Sequence, residues 1–126
     1  MGAFTDLERK ILVCLEAAGP DDLSALLNSV LHGTGNLDEI ERFRIAFAGL
    51  MDQDLLRLAR SRTSALTGIK PLSHSESVAV LPHLRSLLQW SAPERIWRWN
   101  VEARIRMDAV LTDAGMAAAR RIAAEE

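Results

Sequence analysis

A single cysteine, Cys14, is present in the whole chain of 126 residues. An internal disulfide and a thiolate cluster are thereby excluded, and a lone thiol fits a reducing compartment, so a cytoplasmic location is expected. Long apolar runs are missing as well. None approaches the ~18 residues that cross a bilayer, and no charged-then-apolar signal opens the chain, so no membrane association is expected. The three histidines, His32, His74 and His83, lie far apart, and no two of them stand at the i, i+4 spacing of a zinc site, so no metal is expected. Glycine-rich phosphate loops and the G-x-S-x-G nucleophile turn are also lacking. The carboxylates Asp6, Glu8, Asp21, Asp22, Asp38 and Glu39 gather at helix starts, where the helix dipole accounts for them without catalysis. The sequence predicts neither an enzyme nor a cofactor.

What is present reads as one domain over residues 1–126, with 48% hydrophobic and 25% charged residues. The net charge of −2 hides an uneven distribution. Residues 1–41 carry two basic and eight acidic side chains, net −6; residues 42–106 carry eleven and five, net +6; residues 107–126 carry two and four, net −2. Such polarity makes a local positive face on a nearly neutral protein.

Thr5 and Glu8 form a capping box ahead of Leu7, Ile11, Cys14 and Leu15, which predicts a first helix over Asp6 to Ala18, ended by Gly19-Pro20. Cys14 lies on that apolar stripe and reads as a buried small hydrophobe rather than a nucleophile. Asp21 or Asp22 starts a second helix with Leu23, Leu26, Leu27 and Val30 inward, closed by His32-Gly33-Thr34-Gly35. Asn36 caps a third, with Glu39 completing the box and Ile40, Phe43, Phe47, Leu50 and Met51 at helical spacing. After Asp54 the period changes, and Leu55 to Arg62 reads as a basic strand.

Trp97 to Leu111 alternates apolar and polar residues as a half-buried strand does. At full extension it would span roughly 50 Å, too long for a small domain unless it bends or breaks. Ser91 to Glu94 offers a competing capping box, with a helical turn near Pro93 to Trp97. Ile105 to Leu111 is expected to pair antiparallel with Leu55 to Arg60. Thr112 caps a final helix at about 113–125, with Leu111 and Met116 as a hydrophobic staple and Met116, Ala119 and Ile122 inward. Between the strands, residues 63–96 form an insertion in which Pro82 opens a short helix carrying Leu84, Leu87, Leu88 and Trp90. Its apolar surface either covers the domain's own core, pairs two subunits or closes a ligand pocket.

Phe43 to Arg60, "FRIAFAGLMDQDLLRLAR", resembles the recognition helix and following wing strand of winged helix-turn-helix proteins. Asp54 stands where that family usually has glycine, and aspartate tolerates the left-handed turn better than most residues. Ala109 to Ile122, "AVLTDAGMAAARRI", resembles the "LT-x-x-G-x-x-A" junction between the last wing strand and the final helix of MarR-like and PadR-like regulators. The resemblance implies a mainly α fold with a small antiparallel β wing, and a transcriptional regulator that binds double-stranded DNA as a homodimer. Arg42 and Arg44 would stand nearest bases or phosphates in the major groove. Arg57, Arg60, Arg62, Lys70, Arg104 and Arg106 would hold phosphates from the wing, since a guanidinium fork donates two bonds at once. Against this, Asp38, Glu39 and Glu41 crowd the first turn of the third helix, which in helix-turn-helix docking lies nearest the DNA. The alternative is a winged helix that serves as a protein–protein module without DNA. Leu84, Leu88, Trp90, Trp97 and Trp99 are then the expected interface with a partner protein or a second subunit.

Overall fold

The computed structural model describes residues 4–60, 73–100 and 106–125. The first helix, α1, is Asp6–Ala18; Thr5 and Glu8 close its capping box, and Gly19, at φ 80°, ends it by donating to the Leu15 carbonyl at 2.8 Å. Asp21–Asp22 then form a two-residue strand, β1, that pairs with Ala109 and Asp108. Two residues are too few to show a period, so β1 had no signature of its own; its partner strand defines it. Asp22 also caps α2, Leu23–Val30, accepting from Ser24 N at 2.8 Å and Ala25 N at 3.3 Å. Asn36 and Glu39 close the second capping box at the start of α3, Leu37–Asp52.

The chain leaves α3 through Asp54, whose φ of 58° is the left-handed conformation expected there. It enters β2, Leu56–Arg60, which pairs antiparallel with β5, Met107–Leu111, from Leu56↔Leu111 to Arg60↔Met107. The three-stranded order is β1-β5-β2. Thr112 caps α6, Asp113–Glu125, through Gly115 N at 3.0 Å, and α6 lies on α1 with Ala118, Ala119 and Ile122 buried. The described residues are therefore mainly helical, with small antiparallel sheets.

Residues 73–100 depart from the sequence reading in three places. Ser73 and Glu76 form a third capping box, and the polar run from His74 begins α4, His74–Val80. Only Ser77 of that helix is buried, so it carries no apolar stripe to betray it. Pro82 sits in a 3₁₀ turn, Leu81–His83, followed by α5, Leu84–Leu87. Leu88 and Trp90 do not continue that helix. They lie in β3, Leu88–Ser91, paired antiparallel with β4, Ile96–Trp99. Ser91 and Glu94 accordingly open a hairpin turn rather than a helix, closed by Arg95 N donating to Ser91 O at 2.7 Å with Arg95 at φ 57°. The long alternating stretch is broken, with β4 and β5 in separate sheets.

One core cluster joins α1, α2, α3, α5, α6 and strands β2 to β5, built around Phe43, Phe47, Ile11, Leu26 and Leu58, with Val80 of α4 packed against it. Among the described residues, no helix is long and apolar enough to cross a membrane.

Candidate nucleic-acid interface

The β2–β5 ladder fixes where the basic segments meet. Arg60 is paired with Met107 at one end of the sheet, and the exposed Arg106 precedes Met107 directly. Arg60 and Arg106 are thereby brought to the same end. Arg62, Lys70 and Arg104 lie outside the described residues. Arg57, further back on β2, is half-buried and donates to Asp54 Oδ1 at 2.9 Å across the turn.

On α3 the expected cations are less free. Arg42 is exposed. Arg44 donates through Nε to Glu41 Oε2 at 3.0 Å and through a second nitrogen to Oε1, a two-pronged pair within one helix. That bond holds the Glu41 carboxyl below its ordinary value and pushes the Arg44 guanidinium up; the nearby Arg85 adds to the effect on Glu41. Asp38 and Asp52 are exposed at the two ends of the same helix. Carboxylates therefore interrupt the basic face of α3; at the end of the sheet with Arg60 and Arg106 the neighbouring carboxylate is Asp108, next to Met107 and opposite Ala59.

The expected interface residues are elsewhere. Leu84, Leu88, Trp97 and Trp99 are between 2% and 8% exposed, buried in the chain's own core, which corrects the reading of them as a free surface. The reason is that the β3–β4 hairpin folds back onto α2. Asn28 acts as a substitute strand: its Nδ2 donates to Trp97 O at 2.8 Å and its Oδ1 accepts from Trp97 N at 2.9 Å. The Trp99 indole donates to both Asp22 carboxylate oxygens, at 2.8 and 2.7 Å. Trp90 is half-buried, edge-on to Trp97 at 5.3 Å, and lies against the α2–α3 turn. A Cβ on Gly33 or Gly35 would come within 2.7 to 2.8 Å of its ring. An asparagine among the leucines of α2 was the one sequence signal for this docking.

Replacing Trp99 with Phe is expected to destabilise the protein by about 2 kcal/mol, since it removes a hydrogen bond to a charged group. Urea unfolding checks this. Asp22→Asn should have a smaller effect, because an amide oxygen still caps α2 and accepts from the indole.

Glu39 completes the arrangement. Its side chain is buried, and Oε1 accepts from Thr34 N at 2.8 Å, Thr34 Oγ1 at 2.9 Å and Asn36 N at 2.9 Å. Burial by itself raises the carboxyl pKa; the donors on Thr34 and Asn36, with the Trp97 indole, outweigh it and hold the group below its ordinary value. The Trp97 Nε1 and Glu39 Oε2 atoms are both buried and miss bonding geometry, so the indole acts on the carboxylate without a formed hydrogen bond. The sequence showed Glu39 only as a capping residue; here it also fastens the turn that aims α3.

Cys14 lines an open groove of about 500 Å³ between α1 and α2 with Ser29, Val30 and His32. Burial and the Asp21 charge push its thiol up, against a smaller opposite effect of the Ser29 hydroxyl. Slow reaction with a disulfide reagent at neutral pH is expected, slower than that of a free thiol, because the thiolate is the reacting form. Among the described residues, no group of three or more His, Cys, Asp or Glu is placed to hold a metal. Comparison with protein-family models, curated proteins and solved structures gives no match.

Proposed function

We propose that the chain is a winged-helix domain that binds double-stranded DNA, a transcriptional regulator acting as a homodimer, with the wing as its main phosphate contact. The topology supports the winged-helix part. A short strand lies between the first two helices, and the last strand pairs between it and the strand after the third helix, in the order β1-β5-β2. The register of Arg60 against Met107 carries the functional part. It starts two basic stretches from one end of the sheet. Residues 55–75 contain Arg57, Arg60, Arg62 and Lys70 and no acid, and residues 101–106 contain Arg104 and Arg106 against Glu102 alone. Phosphate contacts of this kind give affinity and register, and sequence choice needs base contacts from elsewhere.

The Glu41–Arg44 pair favours a second reading, in which the domain engages only protein. Fluorescence anisotropy with a random-sequence duplex separates the two. DNA binding that weakens steeply as salt rises is expected. Absence of binding at low salt, where non-specific contacts are strongest, would leave only the protein module.

A further inference from the structure

Residues 73–100 are tied down toward both ends by the same chemistry: a polar side chain bonds the edge of a strand. Near the start, the buried Ser77 hydroxyl of α4 accepts from Leu58 N at 3.4 Å, on β2, an outer strand of the order β1-β5-β2. Near the end, Asn28 of α2 bonds both Trp97 N and Trp97 O on β4, 69 positions away. Between these points Leu81 and Leu84 join the core beside α3. The segment therefore runs as a strap from the sheet, past α3, to α2 and the α2–α3 turn. Its far end depends on what it is tied to, because β3–β4 is a two-stranded sheet and a lone hairpin is marginal in water. The ties are Asn28, the bond from Trp99 to Asp22, and Trp90 against Gly33 and Gly35. All three tryptophans of the chain lie in this seam. The hairpin can thus open as a unit while the β2–β5 ladder stays paired.

The strap links the two parts that carry the contacts proposed for DNA. Arg60 and Arg106 stand at the end of the sheet, and Arg42 on α3. Beyond Asn100, six residues, the last of them Arg106, lead to Met107 of β5. Asn100 N donates to Leu87 O at 2.7 Å, so the docked hairpin fixes where that stretch begins, and the ladder fixes where it ends. We propose that the strap positions the wing for DNA and that Asn28 is its latch. Undocking the hairpin leaves every phosphate contact possible, but the wing must then be ordered at the moment of binding. The inference rests on DNA binding by the wing. Asn28 is a positioning residue, acting through the hairpin rather than on the nucleic acid.

Asn28→Leu tests it. Leucine keeps the branching of the side chain, suits a helix and adds no charge, and it takes both bonds from Trp97. Tryptophan emission is expected to shift to the red as the hairpin opens, while the β2 and β5 amides keep their protection from hydrogen exchange. Duplex affinity should fall by the factor by which the docked fraction falls, about tenfold if a tenth of the molecules stay docked. The slope of log affinity against log salt should stay unchanged, since no phosphate contact is lost. A red shift with undiminished affinity overturns the proposal. So does a slope lower by about 1 or more, which would make the hairpin itself a phosphate contact. An unshifted emission shows that Asn28 is no latch and overturns it too. If the β2 and β5 amides lose protection in this variant, Trp99→Phe, which removes only the bond to Asp22, is read in the same way. Absence of duplex binding by the wild type is a different failure: it removes the reading of the wing, and this inference with it.

Discussion

Glu39→Ala is expected to lower stability by about 3 kcal/mol, with the loss read from urea unfolding midpoints. The variant removes the acceptor for Thr34 N, Thr34 Oγ1 and Asn36 N together. It also leaves a space beside the Trp97 indole. Thr34 and Asn36 are exposed and can rebind water, which keeps the figure below the sum of three buried bonds. The effect should depend on pH. Because the folded pKa of Glu39 lies below its ordinary value, its contribution is complete at neutral pH and fades as pH falls through that folded value. The stability gap between wild type and Glu39→Ala should therefore narrow in acid, and a gap that stays constant would show that the carboxylate is not the source.

Gly115→Ala is expected to destabilise by a similar amount, about 3 kcal/mol, for a steric reason. The added Cβ would fall on the Leu55 carbonyl oxygen and lie 2.9 Å from its carbon. Both are backbone atoms and cannot swing aside. That carbonyl also accepts from Thr112 N at 3.0 Å, and Thr112 Oγ1 donates to Asp54 O at 2.7 Å. Moving α6 outward to make room would break the junction that ties the start of α6 to the α3–β2 turn. Thermal unfolding reads the result. An unchanged midpoint would mean that α6 does not seat on Leu55 as described.

Local rules carried much of this architecture. The boxes at Thr5/Glu8 and Asn36/Glu39, the left-handed Asp54 and the antiparallel pairing of β2 with β5 all follow from residues within a few positions of each other or from a clear period. The juxtaposition of Arg60 and Arg106 was legible because that pairing was. What was hidden depends on distant partners. β1 exists only because β5 offers it an edge. The tryptophans looked like an interface because nothing near them in sequence shows that Asn28 and Asp22 lie 69 and 77 residues away, ready to bind the hairpin. The pairing of Arg44 with Glu41 is the opposite case: the i, i+3 spacing stood in the sequence, and it is this bond that weakens Arg44 as a phosphate contact.

The most direct measurement compares salt dependence of duplex binding for two double variants, Arg60→Ala/Arg106→Ala on the wing and Arg42→Ala/Arg44→Ala on α3. If the wing neutralises phosphates, its variant should lower the log–log slope by about 2, and the α3 variant by less than 1, since Arg44 is engaged by Glu41. Equal losses, or a larger loss from α3, would contradict a wing-centred contact and place the DNA on the helix instead.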